Sequence, residues 1–150
     1  MFPLSKFESD EIEKVLTAFD EVVELYKHSE PAYEAILRMG IIKFYLQNEF
    51  NESTSLLNVV TTEAPLSRSA ADAFFELGNI FLIQGDLNEA ERKYSALLSN
   101  NRAQNDKKNA AAYKLARIYF YQSKFDKATE YISKVLINLK DNFANDALEL

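Results

Sequence analysis

The sequence has no cysteine, no tryptophan, three glycines, three prolines and one histidine. Without cysteine, disulfide bonds, thiol catalysis and zinc–thiolate sites are all excluded. Three glycines are too few for a phosphate-cradling loop, and none of the common nucleotide-binding or catalytic patterns of glycine, serine and histidine occurs. The low glycine and proline content also disfavours a turn-rich β fold. We therefore expect an all-α protein that is not an enzyme and uses no cofactor or metal.

The rest of the composition is that of a globular chain of 150 residues, with 47% hydrophobic and 27% charged side chains. The net charge of −6 argues against a nucleic-acid partner, because such binding draws most of its strength from lysine and arginine. No apolar run approaches the ~20 residues of a membrane span, and residues 1–11 lack the apolar core of a signal peptide. We expect neither nucleic-acid binding nor membrane insertion. The compartment stays open: the cytoplasm is the default, and the periplasm is the alternative for a piece of a longer protein.

The charges are distributed unevenly along the chain. Residues 1–65 hold 12 acidic and 5 basic side chains, whereas residues 101–150 hold 6 acidic and 9 basic ones. The simpler interpretation is a set of solvated helix faces. The alternative is an electrostatic attraction between the head of one copy and the tail of the next, or an acidic partner at the C-terminal end.

A pair of helices is predicted within residues 67–99. Gly78 lies inside the first helix, where glycine costs about 1 kcal/mol relative to alanine, so its presence there indicates a packing role. Beyond a break at Gly85, Ala90 and Tyr94 follow at helical spacing. We expect the two helices to lie antiparallel, with the small Ala90 meeting Gly78 and Tyr94 covering the gap.

The spacing of these residues resembles the tetratricopeptide repeat (TPR), a helix pair with aromatic, Leu-Gly and aromatic positions in its first helix and alanine followed by an aromatic in its second. The pattern occurs three times, and its first-helix anchor and second-helix small residue are always 16 positions apart. These pairs are Leu37 with Ser53, Phe74 with Ala90, and Ala112 with Ala128. The copies are 37 and 38 residues apart, against about 34 in the family. We therefore expect the extra residues in loops near 61–69 and 99–109.

The resemblance implies an all-α fold, a right-handed superhelix of antiparallel helix pairs with about seven helices and a partial eighth. We expect one domain over residues 1–150. Its predicted segments are a lead-in with a degenerate capping helix at 1–30, helix-pair repeats at 31–65, 66–104 and 105–140, and the start of a further helix at 141–150. The first helix is predicted to begin at Ser9-Asp10, and the helix before Asp141 is predicted to end near Lys140.

In TPR proteins the first helices of successive pairs line a concave groove that binds peptides or helices, and the resemblance implies such a groove here. Many of the residues that would face it are Tyr, Phe and Arg, types favoured at binding hot spots. They are Arg38, Ile42 and Tyr45 in the first pair, Phe75, Asn79 and Leu82 in the second, and Tyr113, Arg117, Phe120 and Tyr121 in the third. The alternative is that several of them pack against a further helix or line the seam between repeats. Phe75 and Tyr121 are expected to be the most exposed.

One TPR binding mode grips the C-terminal carboxylate of a chaperone tail with Lys, Asn and Arg side chains. Arg38 and Lys114 match that set, but Ile42, Glu76 and Ala110 stand where its other members are expected. Because the Glu76 carboxylate would repel the ligand, we exclude this mode.

The C-terminal end of the chain is apolar. Asp141-Asn142 is predicted to cap a short helix whose packing face is Ala144, Ala147 and Leu148, and Leu150 follows. Terminal units of repeat arrays normally carry a polar outer face. We therefore expect that the chain is a fragment of a longer repeat protein or that this end packs on another copy, with a frayed tail as the alternative.

Two functions follow for such a chain. The first is a cofactor-free adaptor that holds a protein or peptide partner in the groove. The second is a structural segment that assembles with itself, or part of a bacterial envelope-assembly TPR protein, whose loop-to-helix entries residues 140–150 resemble; the lipobox cysteine of such lipoproteins is absent. His28 near a helix C-terminus is assigned to the helix dipole or solvent. The acidic residues from Glu8 to Glu13 lack the spacing of a calcium loop.

Overall fold

The computed structural model describes the backbone of residues 4–148 and the side chains of residues 4–141. Over that range the chain forms seven α-helices and no strand, so the all-α prediction is confirmed, without the partial eighth helix. The helices are α1 Lys6–Leu25, α2 Glu30–Tyr45, α3 Phe50–Glu63, α4 Arg68–Gln84, α5 Leu87–Leu98, α6 Asn105–Tyr121 and α7 Phe125–Leu148.

The chain divides into two compact units, Met1–Ala73 and Phe74–Leu150, with the boundary inside α4. The connections at 64–67 and 99–104 lie within the two regions where extra loop residues are predicted. The interpretation of residues 1–150 as one domain of helix-pair repeats remains a prediction.

The first helix, α1, begins one turn before its predicted start. Ser5 Oγ accepts a hydrogen bond from the Glu8 N–H at 3.2 Å, and the Ser5 N–H donates to the Glu8 carboxylate at 2.9 Å. This reciprocal capping box pairs two backbone donors that the helix itself cannot satisfy. The hydrogen bond from the Ser5 N–H, and after it the Ser5 hydroxyl, hold the pKa of the Glu8 carboxyl below its ordinary value. The predicted start at Ser9-Asp10 is wrong because the Ser-x-x-Glu pattern at Ser5 caps the helix before the acidic run begins.

Within the first unit, α2 packs against both α1 and α3, and it meets α3 closely at Gly40. A Cβ added at Gly40 would lie 2.8 Å from Leu57 Cδ2 on α3, closer than real Cβ contacts. Ser53 Oγ, fully buried on α3, donates a 2.7 Å hydrogen bond to the Gly40 carbonyl. A glycine on one helix and a small polar residue on the other therefore allow the two backbones to approach.

Within the second unit, α4 and α5 meet in the same way at Gly78. A Cβ added there would lie 2.5 Å from Tyr94 Cε1 and 2.7 Å from Tyr94 Cζ. The Tyr94 ring is completely buried, and its hydroxyl donates a 2.6 Å hydrogen bond to Asn79 Oδ1. The prediction that Tyr94 covers Gly78 is confirmed, since the three atoms nearest to such a Cβ all belong to the Tyr94 ring, whereas the contact of Ala90 with Gly78 stays a prediction. The pair is joined by only two residues, Gly85 and Asp86, and Asp86 caps α5 through the Glu89 N–H at 3.1 Å.

The core of the second unit joins α5, α6 and α7. Small side chains alternate with large ones in it, so the helices interdigitate closely. Its buried members are Ala90, Tyr94, Leu97, Ala111, Leu115, Ile118, Tyr119 and Ala128.

The turn inside each predicted helix pair contains one residue with left-handed backbone. These residues are Asn48 (φ 55°), Gly85 (φ 81°) and Ser123 (φ 60°). They are 37 and 38 positions apart, the same interval as the copies of the sequence pattern. Beyond the last two, the Asp86 N–H donates to the Phe81 carbonyl at 2.9 Å and the Lys124 N–H to the Tyr119 carbonyl at 2.8 Å, as in a Schellman helix end. The repeat is therefore present in the backbone as well as in the sequence.

The last helix, α7, runs without interruption from Phe125 to Leu148. The predicted end near Lys140 and the predicted new helix from Asp141 are therefore wrong. Aspartate and asparagine favour helix N-caps, but inside a helix each costs less than about 1 kcal/mol relative to alanine. No glycine or proline occurs after Lys140 to stop the helix. The predicted packing face of Ala144, Ala147, Leu148 and Leu150 lies outside the side chains that the structure describes.

Candidate functional site

In the first unit, the predicted site residues Arg38, Ile42 and Tyr45 are four and three positions apart on α2 and therefore share one side of that helix. The Arg38 guanidinium pairs with Glu34, Nη2 to Oε1 at 2.7 Å, and is exposed. Ile42 is half-buried, and the Tyr45 ring is 46% exposed with its neighbour Phe44 edge-on at 4.4 Å. This face offers one cation and one aromatic ring to solvent.

In the second unit, the predicted residues on α4 are partly used by the fold itself. The half-buried Phe75 ring lies against the Tyr94 ring, with centroids 5.9 Å apart, and Lys107 Nζ sits 4.7 Å from the Phe75 centroid. Asn79 accepts the Tyr94 hydroxyl hydrogen bond and donates to Glu76 Oε2 at 3.5 Å. Phe75 and Asn79 therefore hold Tyr94 in place over Gly78. Leu82 is half-buried against the core.

The four predicted residues on α6 are all exposed. Tyr113 is 47%, Phe120 59% and Tyr121 63% exposed, so the expectation of exposure holds for Tyr121 and not for Phe75. The Arg117 guanidinium donates to the Tyr121 hydroxyl at 3.4 Å. That hydrogen bond further raises the pKa of Arg117, which stays cationic. The Phe120 ring meets Phe125, at the start of α7, with centroids 5.5 Å apart.

Three of these α6 residues line a groove of about 570 Å³ between α6 and α7. Its buried floor is made of the small Ala116 and Ala128, and its exposed apolar walls are Phe120, Tyr121 and Leu136. We call this set the α6–α7 groove. The full lining is Ala116, Arg117, Phe120 and Tyr121 from α6, with Ala128, Thr129, Ile132, Ser133 and Leu136 from α7.

The contribution of α7 to this groove was not predicted. Ala128, Ile132 and Leu136 are four positions apart, so they form one stripe along the helix. In the repeat pattern, Ala128 and Ile132 are packing positions of the second helix. Extending the same spacing by one turn would have found Leu136, which is 61% exposed.

A second depression, on the outer side of α5, has nearly the same volume of about 550 Å³. Volume therefore does not distinguish the two, and the lining does. The α5 depression is lined by Asn88, Glu91, Arg92, Ser95, Ala96 and Ser99, without a large apolar side chain. The α6–α7 groove exposes two aromatic rings and a leucine beside an arginine, a combination typical of binding hot spots.

The described side chains contain no group of three His, Cys, Asp or Glu residues placed to hold a metal ion. His28 lies just after α1 with φ 58°, and its exposed ring has Nδ1 3.3 Å from Glu63 Oε2. Among the helices described for residues 4–148, none is both long enough and apolar enough to cross a membrane.

Helix pairs with matched turns and a small residue at each close contact define a TPR-like helical-repeat fold. The chain is similar to the crystal structure of MamA, a TPR-containing protein, with a TM-score of 0.67 over 93% of this chain and 84% of that chain. The sequences are 17% identical, so the similarity shows the fold alone. A scan against protein-family models gives no match, and a search of curated proteins gives none either.

Proposed function

We propose that the chain is a non-catalytic protein-interaction scaffold that binds a helix or an extended peptide of a partner protein in the α6–α7 groove. The single observation that carries this proposal is the groove itself: an alanine floor between exposed Phe120, Tyr121 and Leu136. An amphipathic helix lays its apolar face into such a groove in one of the recurring modes of peptide recognition.

The charges around the groove indicate the polar part of the partner. Residues 105–141 have a charge balance of +4, but Lys124 and Lys127 lie over the Tyr119 ring and Lys134 over the Tyr131 ring, and these lysines are not part of the groove lining. Arg117 itself lines the groove. A partner segment with an apolar stripe flanked by acidic residues fits this surface best, because charges of opposite sign speed association and set the register.

The groove is suited to binding and not to catalysis. Its lining contains no histidine, aspartate or glutamate, the side chains that most often act as general acid or base. Thr129 and Ser133 bring hydroxyl groups to it, but no base that could activate them is part of the lining.

The proposal is tested by panning a displayed library of helical peptides against the protein and measuring the enriched peptides by fluorescence anisotropy. Leu136→Asp is expected to weaken their binding by about tenfold or more, since burying a leucine side chain contributes about 1.5–3 kcal/mol. Tyr121→Ala should weaken the same peptides by a similar factor. Both residues are exposed, so neither change should unfold the chain.

Ile83→Asp is the matched control, because Ile83 is 64% exposed in the same unit and does not line the groove. The proposal fails if no peptide is enriched, or if Ile83→Asp and Leu136→Asp reduce binding equally.

The predicted surface on α2 remains a second proposed contact. Tyr45→Ala removes its exposed ring, and Arg38→Ala removes its cation. If this face also binds a partner, both variants weaken that partner while leaving the peptides selected on the α6–α7 groove unchanged.

A further inference from the structure

The α6–α7 groove lies on a face that is covered in the preceding helix pair. The positions equivalent to Ile132 and Leu136 are 38 residues earlier, at Tyr94 and Leu98 of α5. Tyr94 belongs to the core that joins α5 to α6, and Leu98 packs against that core. Tyr94 is completely buried and Leu98 half-buried, whereas Ile132 is half-buried and Leu136 is 61% exposed. The groove therefore repeats, in an open form, the face on which α6 packs.

The helix that covers this face on α5 presents three completely buried apolar residues. They are Ala111, Leu115 and Ile118 of α6, and their spacing of four and three positions places them in one stripe along the helix. All three share a core with Tyr94 and Leu97 of α5. The small alanine allows the two helices to approach closely, and the two larger side chains supply most of the buried apolar area.

The same stripe occurs in α4, the other helix that follows a helix pair. Ala73, Leu77 and Ile80 are the equivalent residues 38 positions earlier, and all three are completely buried. Both helices thus contain the pattern Ala-x3-Leu-x2-Ile, which we call the Ala-Leu-Ile stripe. It is the chemistry that a helix needs in order to continue the packing after a pair.

We propose that the helix bound in the α6–α7 groove carries the Ala-Leu-Ile stripe and belongs to a partner protein. The inference rests on the proposed function, since it names the sequence pattern of the partner helix for the same groove. The stripe packs on Ala128 and Ile132 and covers Leu136, as α6 packs on the equivalent positions of α5. A second copy does not supply it from α4 or α6, because both stripes are buried in their own units.

A synthetic peptide with the sequence of residues 105–121 is the probe. A lactam bridge between Asp106 and Ala110→Lys holds it as a helix, because an isolated helix of this length is only marginally stable. Its binding to the whole chain is measured by fluorescence anisotropy. Leu115→Asp in the peptide disrupts the stripe and is expected to weaken binding by about tenfold or more. Tyr113→Asp is the matched control peptide and should bind like the unaltered one, since Tyr113 lies off the stripe and is 47% exposed in the chain.

Two variants of the chain show where the peptide binds. Leu136→Asp is expected to weaken the unaltered peptide by about tenfold or more, because Leu136 is a wall of the groove. Ile83→Asp, which changes an exposed residue outside the groove lining, should leave its binding unchanged. A peptide that instead replaced the chain's own α6 would be insensitive to Leu136→Asp.

The inference is overturned if the unaltered peptide does not bind, if Leu115→Asp and Tyr113→Asp peptides bind equally, or if binding is insensitive to Leu136→Asp in the chain. The outcomes also separate the two proposals. Library peptides that lose binding with Leu136→Asp but lack the Ala-x3-Leu-x2-Ile spacing would leave the groove as a binding site and overturn this inference alone. Self-association of the wild type that the peptide reverses would place a second copy in the groove instead of a partner protein.

Discussion

Gly78 and Gly40 show how one missing side chain decides a helix contact. At both positions a Cβ would overlap a buried residue of the facing helix, Tyr94 or Leu57. The two neighbours differ in how far they can yield. The Leu57 side chain is aliphatic and has no hydrogen bond to lose, whereas the Tyr94 ring is held by its hydrogen bond to Asn79 and by the Phe75 ring.

Gly78→Ala is therefore expected to destabilise the chain more than Gly40→Ala. Both substitutions gain about 1 kcal/mol of helix propensity. Overpacking costs about 1–3 kcal/mol, and we expect the upper part of that range at Gly78 and the lower part at Gly40. Urea unfolding of the two variants measures the difference. Equal stabilities, or a larger loss at Gly40, would contradict the role assigned to the Tyr94 ring.

The protonation of Tyr119 makes the free energy of unfolding depend on pH in the alkaline range. Its ring is 4% exposed, and its hydroxyl donates to Glu91 Oε1 at 2.9 Å. Burial first, and the Glu91 hydrogen bond second, raise the pKa of the Tyr119 hydroxyl far above its ordinary value of 10.0. A folded-state pKa above the unfolded one stabilises the fold fully below the unfolded pKa, and this contribution is lost as pH rises above it.

Wild type is expected to be more stable than Tyr119→Phe near neutral pH, by about 1–3 kcal/mol for a hydrogen bond to a charged acceptor. The difference should shrink as pH increases above about 10, because only the wild type has the Tyr119 proton to lose. Unfolding free energies of both proteins across that range test this. Every other tyrosine is present in both proteins, so its contribution cancels in the difference. A difference that is independent of pH would show that Tyr119 does not remain protonated in the fold.

At the scale of the helices, the left-handed residue in the turn of each pair recurs at the same interval as the sequence repeat. Asn48, Gly85 and Ser123 occupy equivalent left-handed positions, yet only one of them is glycine. Left-handed backbone costs most L-residues about 1–2 kcal/mol, asparagine being one of the exceptions. The third turn is therefore the most strained of the three.

Gly85→Ala should lower the free energy of unfolding by about 1–2 kcal/mol, because alanine must adopt φ near 81° there. Nothing lies within 4 Å of the position of its Cβ, so the loss would report backbone strain alone. Ser123→Gly should raise stability by a smaller amount, and Asn48→Gly should change it least. Chemical denaturation of the three variants gives the order. If Gly85→Ala left the free energy of unfolding unchanged, this turn would be free to rearrange.

The end of the last helix shows the limit of predicting helix boundaries from the sequence. The existence of the helices follows from apolar residues at three- and four-residue spacing, and α4 and α5 both lie within the predicted pair at 67–99. The predicted end of α7 is wrong, since Asp141 is both a good N-cap and a tolerable residue inside a helix. Local chemistry allows both outcomes, and α7 continues through it to Leu148.

For the molecule as a whole, charge is separated along the chain while its total is modest. The net charge is −6, but α1 has a balance of −5 and residues 105–141 a balance of +4. A net charge of −6 causes only weak repulsion between two copies, while the local charges favour a contact between the acidic part of one copy and the basic part of another.

Electrostatic attraction between the acidic N-terminal part of one copy and the basic C-terminal part of the next, the alternative raised by the sequence, should weaken with salt. Raising the ionic strength from about 0.1 to about 1 M shortens the Debye length from about 10 to about 3 Å, which screens the attraction between these two parts of the chain. Light scattering at fixed protein concentration is expected to show a fall in mean mass. An assembly held by apolar contact alone would keep or increase its mass, because salts that are excluded from protein surfaces strengthen apolar burial.

The sequence by itself determined the helices, the repeat interval and the contact of Gly78 with Tyr94, because each depends on spacing within one or two neighbouring elements. Tertiary structure alone decided what the exposed aromatics do. From the sequence, Phe75 and Tyr121 are equally plausible groove residues. In the structure, Phe75 is held between Tyr94 and Lys107, while Tyr121 lines the groove. Leu136 becomes a wall of that groove only because α7 folds back along α6, and a pairing of side chains from two helices cannot be read from the periodicity of either one.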